Sequence, residues 1–459
     1  MKNFRVRRIH IVCLAIATAE ILIAAFVLWK NAIWNETQIQ TANKQSVLSE
    51  TQEETTSDIQ ENEKTAPTQN QEETKPVEEA VASMPSMRVK LKNSDNTSFE
   101  HAKVIITCPD TFHIQSGTKE QIFTGGQTVT ITPEHPFFQE GSIRVASEGG
   151  FVIIDSILRR GISHEYEGVL DLYLSEQGIV IVNELPLEDY VSKVVPSEMP
   201  VSYGLEAAKL QAVCARTYAY ERILHQKTID NYGSFADDSV DYQVYNSAGY
   251  QEISAQGAKL TSGVIMTRDG APIVPYYFST SCGYTSDNLA WSGNQTLPYL
   301  KSLNLTGEPD RDMTDEATVS AFLQDQNAAG LESNMAWYRW RCEIPLDVMQ
   351  ELFLKRLPAL SASQSECIKA EGESLEKIIG STLTSVQVTG RFAGGMASGL
   401  KLKYEKGSVL VTGELVMRKL LSEPNRTYQN KSEETVSLSE GNYLPSAFFC
   451  LIPVMNQDK

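Results

Sequence analysis

The sequence is poor in positively charged residues and contains no CxxC motif. Lys and Arg number 40 against 58 Asp and Glu, so the 459-residue chain has a formal net charge of −18. Phosphate binding needs clustered Lys and Arg, and this balance therefore argues against a nucleic-acid partner. The seven cysteines form no CxxC pair, so neither a disulfide framework nor a structural zinc site is indicated. Free thiols are expected, with a Cys342–Cys367 pair as the alternative.

The N-terminus combines a basic flank with an apolar run. Residues 1–8 read MKNFRVRR, and residues 11–29 read IVCLAIATAEILIAAFVLW. That run has the length of one membrane crossing, and its basic flank predicts a cytoplasmic tail over 1–8. We therefore expect a single-pass anchor over 9–29 in the cell membrane, with the rest of the chain outside the cytoplasm. The alternative is a cleaved signal peptide, because Ala17-Thr18-Ala19 resembles a cleavage site.

Residues 30–85 predict a flexible stalk. From residue 35 they consist mainly of Glu, Gln, Thr, Ser, Asn and Lys with almost no aromatic residues, a composition that cannot bury enough surface to fold. As a random coil, about fifty residues reach roughly 40 Å on average. Such a stalk suits a target held away from the membrane, such as the cell wall, although an inert spacer predicts the same composition.

The remaining residues predict an α+β fold. A β-rich region is expected over 86–164, because runs such as MRVKL, AKVIIT and FVIID alternate apolar with polar residues or are β-branched. The stretch 204–225 has no proline and no internal glycine, and its apolar residues cover nearly every face. This pattern predicts a buried central helix.

Weaker patterns mark elements toward the C-terminus. Asp-Gly at 269–270 predicts the turn of a hairpin. Residues 314–328 and 346–356 predict helices. The segments SVQVTGRF, LKLKYEKGSVLVTG and ELVMRKLL predict a strand, a hairpin and a helix, and AFFCLIPVM (447–455) predicts a last strand.

One glutamate lies between two prolines in VVPSEMP (194–200). Each proline fixes its own φ and biases the residue before it, Val195 or Met199, toward extended geometry. This predicts a stiff loop that presents Glu198 in a defined direction, either as a helix entry or as a catalytic acid. The acidic residues of the preceding LPLEDY stretch predict a helix start.

Two cations on the predicted helix 204–225 need partners. Lys209 and Arg216 lie seven residues apart and therefore on one face of the helix. Buried cations require a compensating group. An anionic substrate is one candidate, and internal carboxylates such as Glu206 or Glu188 are the other.

Six stretches in one order carry a family resemblance. NELPLEDYVSKVVPSEMP, EAAKLQAVCARTYA, QVY, YFSTSCGYTSD, LPYLKS and VTGELVMRKLL together resemble the stage II sporulation protein D family, which includes the amidase-enhancer (LytB) proteins. The resemblance covers roughly residues 165–447. It implies a mixed α/β domain there. The mixed pattern of residues 307–380 indicates a subdomain or insertion within it, and 448–459 is left as a truncated C-terminal tail.

The resemblance implies a membrane-anchored lytic transglycosylase that acts on peptidoglycan glycan strands in sporulation. Such an enzyme cleaves the bond between N-acetylmuramic acid and N-acetylglucosamine and leaves 1,6-anhydro ends, because the muramyl C6 hydroxyl attacks its own anomeric carbon. One carboxyl then suffices, where ordinary glycosidases use two. Glu198 matches the family's catalytic glutamate. A stem-peptide amidase is a further implied partner. The alternatives are a non-catalytic, peptidoglycan-binding amidase enhancer and an inactive, truncated paralogue.

Other positions match the family more loosely. The polar ones imply groove shaping or sugar contacts, with core packing as the alternative for Arg216 and a polar turn as the alternative for the hydroxyl-rich loop. Aromatic faces cover apolar sugar faces, so Tyr245 and Trp291 could stack on sugar rings, with plain core packing as the alternative. The expected substrate-binding residues are Lys209, Gln211, Arg216, Tyr245, Ser279, Thr280, Ser281 and Tyr284.

The sequence departs from the family in two places. Some members bind zinc through His and Cys before the QVY segment, whereas this chain has Asp237, Asp238, Asp241 and Tyr242 there. No metal or other cofactor is therefore expected. Family members usually continue past an LPS-x-x-F segment, here LPSAFF (444–449), into a GHGVGMSQ-type stretch that this sequence lacks.

Overall fold

The computed structural model describes residues 85–292, 296–422, 426–437 and 443–453. The predicted anchor and nearly all of the predicted stalk lie outside the described residues. Within those four ranges, no helix combines the length and the apolar composition that a membrane crossing requires.

The first part of the described chain forms a ten-stranded sheet. In order across it lie β10, β1, β9, β8, β7, β3 and β6, while β2 pairs with β9 and β4 lies between β7 and β5. The pairs are antiparallel except β1–β10, which is parallel. The expected domain start at residue 165 falls inside one of these strands. They are β1 (Ser86–Leu91), β2 (Glu100–His101), β3 (Val104–Thr107), β4 (Phe112–Ser116), β5 (Lys119–Phe123), β6 (Thr128–Ile131), β7 (Ile143–Arg159), β8 (Ile162–Leu174), β9 (Ile179–Pro186) and β10 (Ala236–Asp237).

Three helices accompany this sheet, the first packed on its strands and the other two packed against the first, so the α+β prediction is confirmed. They are α1 (Leu187–Glu198), α2 (Leu205–Leu224) and α3 (Glu252–Leu260). The first turn of α1 contains two carboxylates, as the LPLEDY stretch predicts. Buried side chains of α1 and α2 join those of the strands in one hydrophobic cluster. Burial of apolar area is the main favourable term in folding, and this cluster therefore fixes α1 on the sheet.

The prediction of a loop at VVPSEMP is wrong for residues 194–198, which are helical. Val195 and Pro196 are helical and lie in the last turn of α1. A proline inside a helix loses one backbone hydrogen bond. Here Val194, Val195 and Pro196 are all buried, and this tertiary packing outweighs the local cost. Met199 is extended, with φ −136° and ψ 137°, as its position before a proline predicts, and α1 ends there.

The helix predicted over residues 204–225 is observed with nearly the predicted ends, but it is not buried on all sides. The observed helix α2 spans Leu205–Leu224 and buries one face, which contains alanines at positions 208, 212, 215 and 219. Leu210 is 66 % exposed on the other side. The small alanines let neighbouring elements approach on one face, and Leu210 and Leu224 are left toward solvent.

The sequence analysis missed helix α3. Its buried residues are Ser254, Gly257 and Ala258, which are too small to give the large apolar periodicity that predicts a helix. A Cβ added at Gly257 would lie 2.8 Å from the Ala208 Cβ. Helices α2 and α3 therefore approach so closely that only glycine fits at the contact.

The later part of the chain forms smaller sheets. Strands order as β14-β17-β16-β15, as β13-β18-β19 and as the hairpin β11-β12. At the predicted turn, Asp269 and Gly270 have φ of 53° and 79°, which suits a two-residue hairpin. The strands are β11 (Thr267–Arg268), β12 (Ala271–Pro272), β13 (Trp340–Arg341), β14 (Ile368–Gly372), β15 (Leu383–Arg391), β16 (Ala397–Tyr404), β17 (Gly407–Thr412), β18 (Thr427–Asn430) and β19 (Thr435–Ser437).

Three of the helices in the later part of the chain occur where the sequence pattern predicts them. The two predicted over 314–328 and 346–356 occur as α5 and α6, the second of them longer than predicted, and ELVMRKLL forms α8. The helices are α4 (Leu289–Ser292), α5 (Glu316–Gln324), α6 (Leu346–Ser363), α7 (Leu375–Ile379) and α8 (Glu414–Leu421).

The strand predicted at AFFCLIPVM is not observed in its described part, residues 447–453. The segment is nevertheless built into the core, because Ala447 and Phe449 are buried. The Ala447 carbonyl accepts a hydrogen bond from the Ala397 amide at 3.0 Å, and the Phe449 carbonyl accepts one from the Arg391 guanidinium at 2.9 Å. Isolated contacts of this kind take the place of a strand ladder.

The close contact between α2 and α3 can be tested by enlarging Gly257. Gly257→Ala should lower the free energy of unfolding by about 1–3 kcal/mol, because overpacking outweighs the gain in helix propensity. Chemical denaturation measures the change. The control is Gln256→Ala on the exposed face of the same helix, for which a change within about 0.5 kcal/mol is expected. Equal stability of the Gly257→Ala variant and the parent would contradict the close approach.

Candidate active site

Glu198 is the last residue of α1, and its carboxylate is held from the next part of the chain. Its Oε1 accepts a hydrogen bond from the backbone amide of Val244 at 2.5 Å. The side chain is half-buried. A helix end, rather than a free loop, therefore gives the carboxyl its direction.

A short segment, residues 243–247, lies against the end of α1. Besides the Val244 contact, the Ser247 amide donates to Ser197 Oγ at 3.1 Å, and Ser197 Oγ donates to the Lys193 carbonyl at 2.8 Å. Asn246 has φ 60°, in the left-handed region that asparagine tolerates better than most residues. This turn brings two amides of the segment onto consecutive residues of α1.

A hydrogen-bonded chain leads from Glu198 into the core. The Tyr277 hydroxyl hydrogen-bonds the Glu198 carboxylate. Gln243 Nε2 donates to the Tyr277 hydroxyl at 3.2 Å, and Gln243 Oε1 accepts from the Tyr190 hydroxyl at 3.1 Å. The sequence analysis did not assign Gln243 and Tyr277 to the site. The one sequence feature that could have indicated a role for them is their position, Gln243 in QVY and Tyr277 in YYF (276–278).

Two opposing influences set the pKa of Glu198. Burial raises the pKa of the carboxyl above its ordinary value, while the hydrogen bonds from the Val244 amide and the Tyr277 hydroxyl act to lower it. Burial and the nearby Glu198 charge raise the pKa of Tyr277, so this phenol keeps its proton. The arrangement suits a carboxyl that gives up a proton and is then stabilised as an anion.

Tyr245 lies beneath this site and not on its surface. It is 1 % exposed, its ring stacks on Tyr190 with centroids 5.4 Å apart, and its hydroxyl donates to Asn183 Oδ1 at 2.7 Å. Both faces of the ring are therefore covered by protein, which matches the core-packing alternative for this residue.

The two cations of α2 pair with internal carboxylates. Arg216 is fully buried and forms two hydrogen bonds of 2.7 Å to Glu188 on α1, with a third of 3.0 Å to the Ala258 carbonyl on α3. Lys209 Nζ lies 2.7 Å from Glu206 Oε1, near the surface. The Arg216 guanidinium is therefore inaccessible to a ligand, whereas the Lys209 ammonium is accessible.

The remaining expected positions divide between buried and exposed. Ser281 and Tyr284 are buried, Tyr284 in a second cluster where it meets Phe322 edge to face. Ser279 is exposed, and its hydroxyl lies 3.2 Å from that of Thr280. Only this first half of the hydroxyl-rich loop offers donors to a ligand, and it begins two residues after Tyr277.

Gln211 lies on α2 with its Nε2 buried and without a hydrogen-bond partner among the described residues. A buried amide group without a partner costs free energy. Gln211 remains a predicted substrate-contact residue, because its Nε2 group has no hydrogen-bond partner among the described residues.

The acidic segment before QVY is occupied by protein contacts. Asp238 is buried, pairs with Arg159 and accepts the Lys92 amide at 3.0 Å. Burial raises the pKa of Asp238 to about 6. In the part of the chain that the structure describes, no cluster of three His, Cys, Asp or Glu side chains could hold a metal ion.

Residues 175–270 match the family model described as Stage II sporulation protein. This range contains Glu198, the segment 243–247 and Arg216, but not Tyr277. The sequence-based resemblance to that family is thereby confirmed for the segment that contains the site.

Curated relatives match part of the chain. A Stage II sporulation protein D from Bacillus amyloliquefaciens is 38 % identical over 135 residues, 27 % of this chain and 39 % of the relative. An uncharacterized protein from Brachyspira hyodysenteriae is 32 % identical over 175 residues, 38 % and 46 % of the two chains. An Amidase enhancer from Bacillus subtilis is 31 % identical over 146 residues, 32 % and 19 %. The chain thus spans less than half the length of each of these relatives.

The two cations of α2 provide a matched test of burial. Arg216→Met should cost about 3–5 kcal/mol of unfolding free energy, because it leaves the Glu188 carboxylate without its partner. Lys209→Met should cost no more than about 1 kcal/mol, since its pair is exposed. Urea denaturation of both variants measures the difference. Similar losses in the two variants would contradict the buried pair.

The pKa shift of Glu198 predicts a pH-dependent stability. A carboxyl whose pKa is raised in the folded state destabilises the fold as pH rises from its unfolded to its folded pKa. As pH rises between these two pKa values, the free energy of unfolding of Glu198→Gln should therefore increase relative to that of the parent. Above the folded-state pKa the variant should remain the more stable of the two. Denaturation midpoints between pH 4 and pH 8 measure this. Glu206→Gln on the exposed end of α2 is the control, and its stability relative to the parent should not change with pH. If the stability advantage of Glu198→Gln over the parent decreased with rising pH, the predicted direction of the pKa shift would be wrong.

Proposed function

We propose that the protein has a sporulation- or cell-wall-related role, because residues 175–270 match the family model described as Stage II sporulation protein. The family match and the curated relatives support this coarse statement. The finer proposal is a peptidoglycan lytic transglycosylase with Glu198 as its catalytic residue.

The observation that carries the finer proposal is a single carboxyl with a raised pKa. Burial raises the pKa of Glu198, and the groups that hydrogen-bond its carboxylate are a backbone amide and a phenol, not a second carboxyl. Glycosidases that use water or a protein nucleophile need two carboxyl groups about 5–9.5 Å apart. A lone carboxyl fits a reaction in which the substrate supplies its own nucleophile.

The geometry supports a proton cycle on Glu198. The protonated carboxyl donates to the glycosidic oxygen as the bond from that oxygen to the muramyl C1 breaks. The C6 hydroxyl of the same sugar forms the new bond to C1, and the Glu198 carboxylate takes its proton. No water is consumed, and Glu198 ends protonated as it began. The Val244 amide and the Tyr277 hydroxyl stabilise the anion between these two proton transfers.

We also propose a location in the cell membrane. The basic residues 1–8 and the apolar run 11–29 support a single-pass anchor with a cytoplasmic N-terminus. The low-complexity stretch that follows would let the folded part reach glycan strands at a distance from the membrane.

The enzyme proposal is tested by the chemistry of the products. Purified glycan strands incubated with the full-length chain should gain 1,6-anhydro-muramyl ends, detected by mass spectrometry. Glu198→Gln should lower their rate of formation by about 10²- to 10⁴-fold, the usual contribution of a general acid. Glu206→Gln, which changes an exposed carboxylate, should leave the rate unchanged. Equal product from the Glu198→Gln variant would refute the assignment.

A second candidate is a non-catalytic amidase enhancer, favoured by the similarity to a protein of that name. On this alternative the chain binds peptidoglycan and raises the rate of a partner amidase that cleaves stem peptides. The Glu198→Gln variant separates the two candidates. Full stimulation by this variant, with no anhydro ends formed by the parent, supports the enhancer. Anhydro ends from the parent alone support the enzyme.

A further inference from the structure

Two aromatic rings are exposed and stacked close to Tyr277. Tyr276 is 50 % exposed and Trp291, on α4, is 55 % exposed. Their ring centroids lie 6.3 Å apart, and the ring planes differ by 26°. We call this pair the aromatic platform. Exposed apolar patches of this kind mark binding surfaces more often than isolated exposed residues do.

The aromatic platform is joined to the Glu198 site by one short stretch of backbone. Tyr276 and Phe278 are exposed, while Tyr277 between them is half-buried and hydrogen-bonded to Glu198. Consecutive Cα atoms are 3.8 Å apart, so a ligand of several sugar rings is long enough to touch both places.

The platform is held in place from a third part of the chain. The Tyr299 hydroxyl accepts a hydrogen bond from the Val274 amide at 3.3 Å, two residues before Tyr276. Burial and the nearby Glu221 raise the pKa of the Tyr276 hydroxyl, so this phenol stays neutral and can donate a hydrogen bond. The pair thus offers apolar faces with neutral polar tips.

We propose that the aromatic platform is a carbohydrate-binding subsite, which holds one N-acetylhexosamine ring of a glycan strand while a neighbouring part of the strand reaches Glu198. The apolar C–H face of such a ring packs on aromatic faces, and the Tyr276 hydroxyl and the Trp291 indole N–H bind its polar edge. The exposed Ser279 and the half-buried Thr280 follow Tyr276 closely in the chain and add hydroxyls near this stretch. This proposal rests on the proposed function for the identity of the ligand.

The subsite is tested by binding, without turnover. In the full-length chain carrying Glu198→Gln, peptide-free glycan fragments of four sugar residues should bind saturably by calorimetry. Adding Trp291→Ala should raise Kd about tenfold, or about 1.4 kcal/mol. Trp291→Phe should raise it less than threefold. The matched control is Tyr250→Ala, which removes a 63 % exposed ring that lies beside Lys193 and outside the aromatic platform, and should leave Kd unchanged.

Fluorescence locates the sugar independently. Bound fragments should change the tryptophan emission of the Glu198→Gln chain, and this change should vanish in the Trp291→Phe variant although binding persists. The other described tryptophans, Trp337 and Trp340, pack against the core of the later part of the chain. An emission change that persists without Trp291 would place the sugar elsewhere.

The outcomes separate this proposal from the proposed function. Equal Kd in the Trp291→Ala variant, or no saturable binding by the parent up to millimolar fragment, overturns the subsite. Anhydro-end formation by the unsubstituted chain would then still support the enzyme. Conversely, Trp291-dependent binding without any anhydro ends supports the subsite and overturns the enzyme.

Discussion

The buried guanidinium of Arg216 is the contact on which the geometry of the site depends. It joins the Glu188 carboxylate on α1, the Ala258 carbonyl on α3 and the Val264 carbonyl beyond it, at distances of 2.7–3.1 Å. A fully buried cation must keep such partners, because the cost of leaving them unpaired is several kcal/mol. The pair therefore locks the first turn of α1, and with it the direction in which that helix delivers Glu198.

The site around Glu198 is assembled from three stretches that are distant in sequence. Helix α1 supplies the carboxyl, residues 243–247 cover it, and Tyr277 adds a hydroxyl from the segment that follows hairpin β11-β12. Burial and hydrogen bonding act on this carboxyl in opposite directions. Burial prevails and raises the pKa, so the carboxyl can hold a proton that it later gives up, as a general acid requires.

Much of this arrangement follows from local sequence, and the rest follows from packing. The alternating strands, the extent of α2 and the Asp-Gly turn were predictable because each reflects a periodicity or a backbone preference. Helix α3 was not, since its contact face is built from small residues. The helical Pro196 was not either, because burial of its neighbours decides its conformation. Glu198 was found through a family motif, whereas its partner Tyr277 depends on contacts between distant segments.

The hydrogen bond from Val244 to Glu198 has a consequence for how such sequences diverge. Its donor is a main-chain amide, which every residue except proline possesses. Substitutions at position 244 can therefore accumulate without loss of this contact, provided that the segment keeps its course. The side-chain donor Tyr277 has no such freedom. Among relatives, the identity of the residue at 244 is thus a poor guide to whether the glutamate is still supported, whereas a proline there would mark its loss.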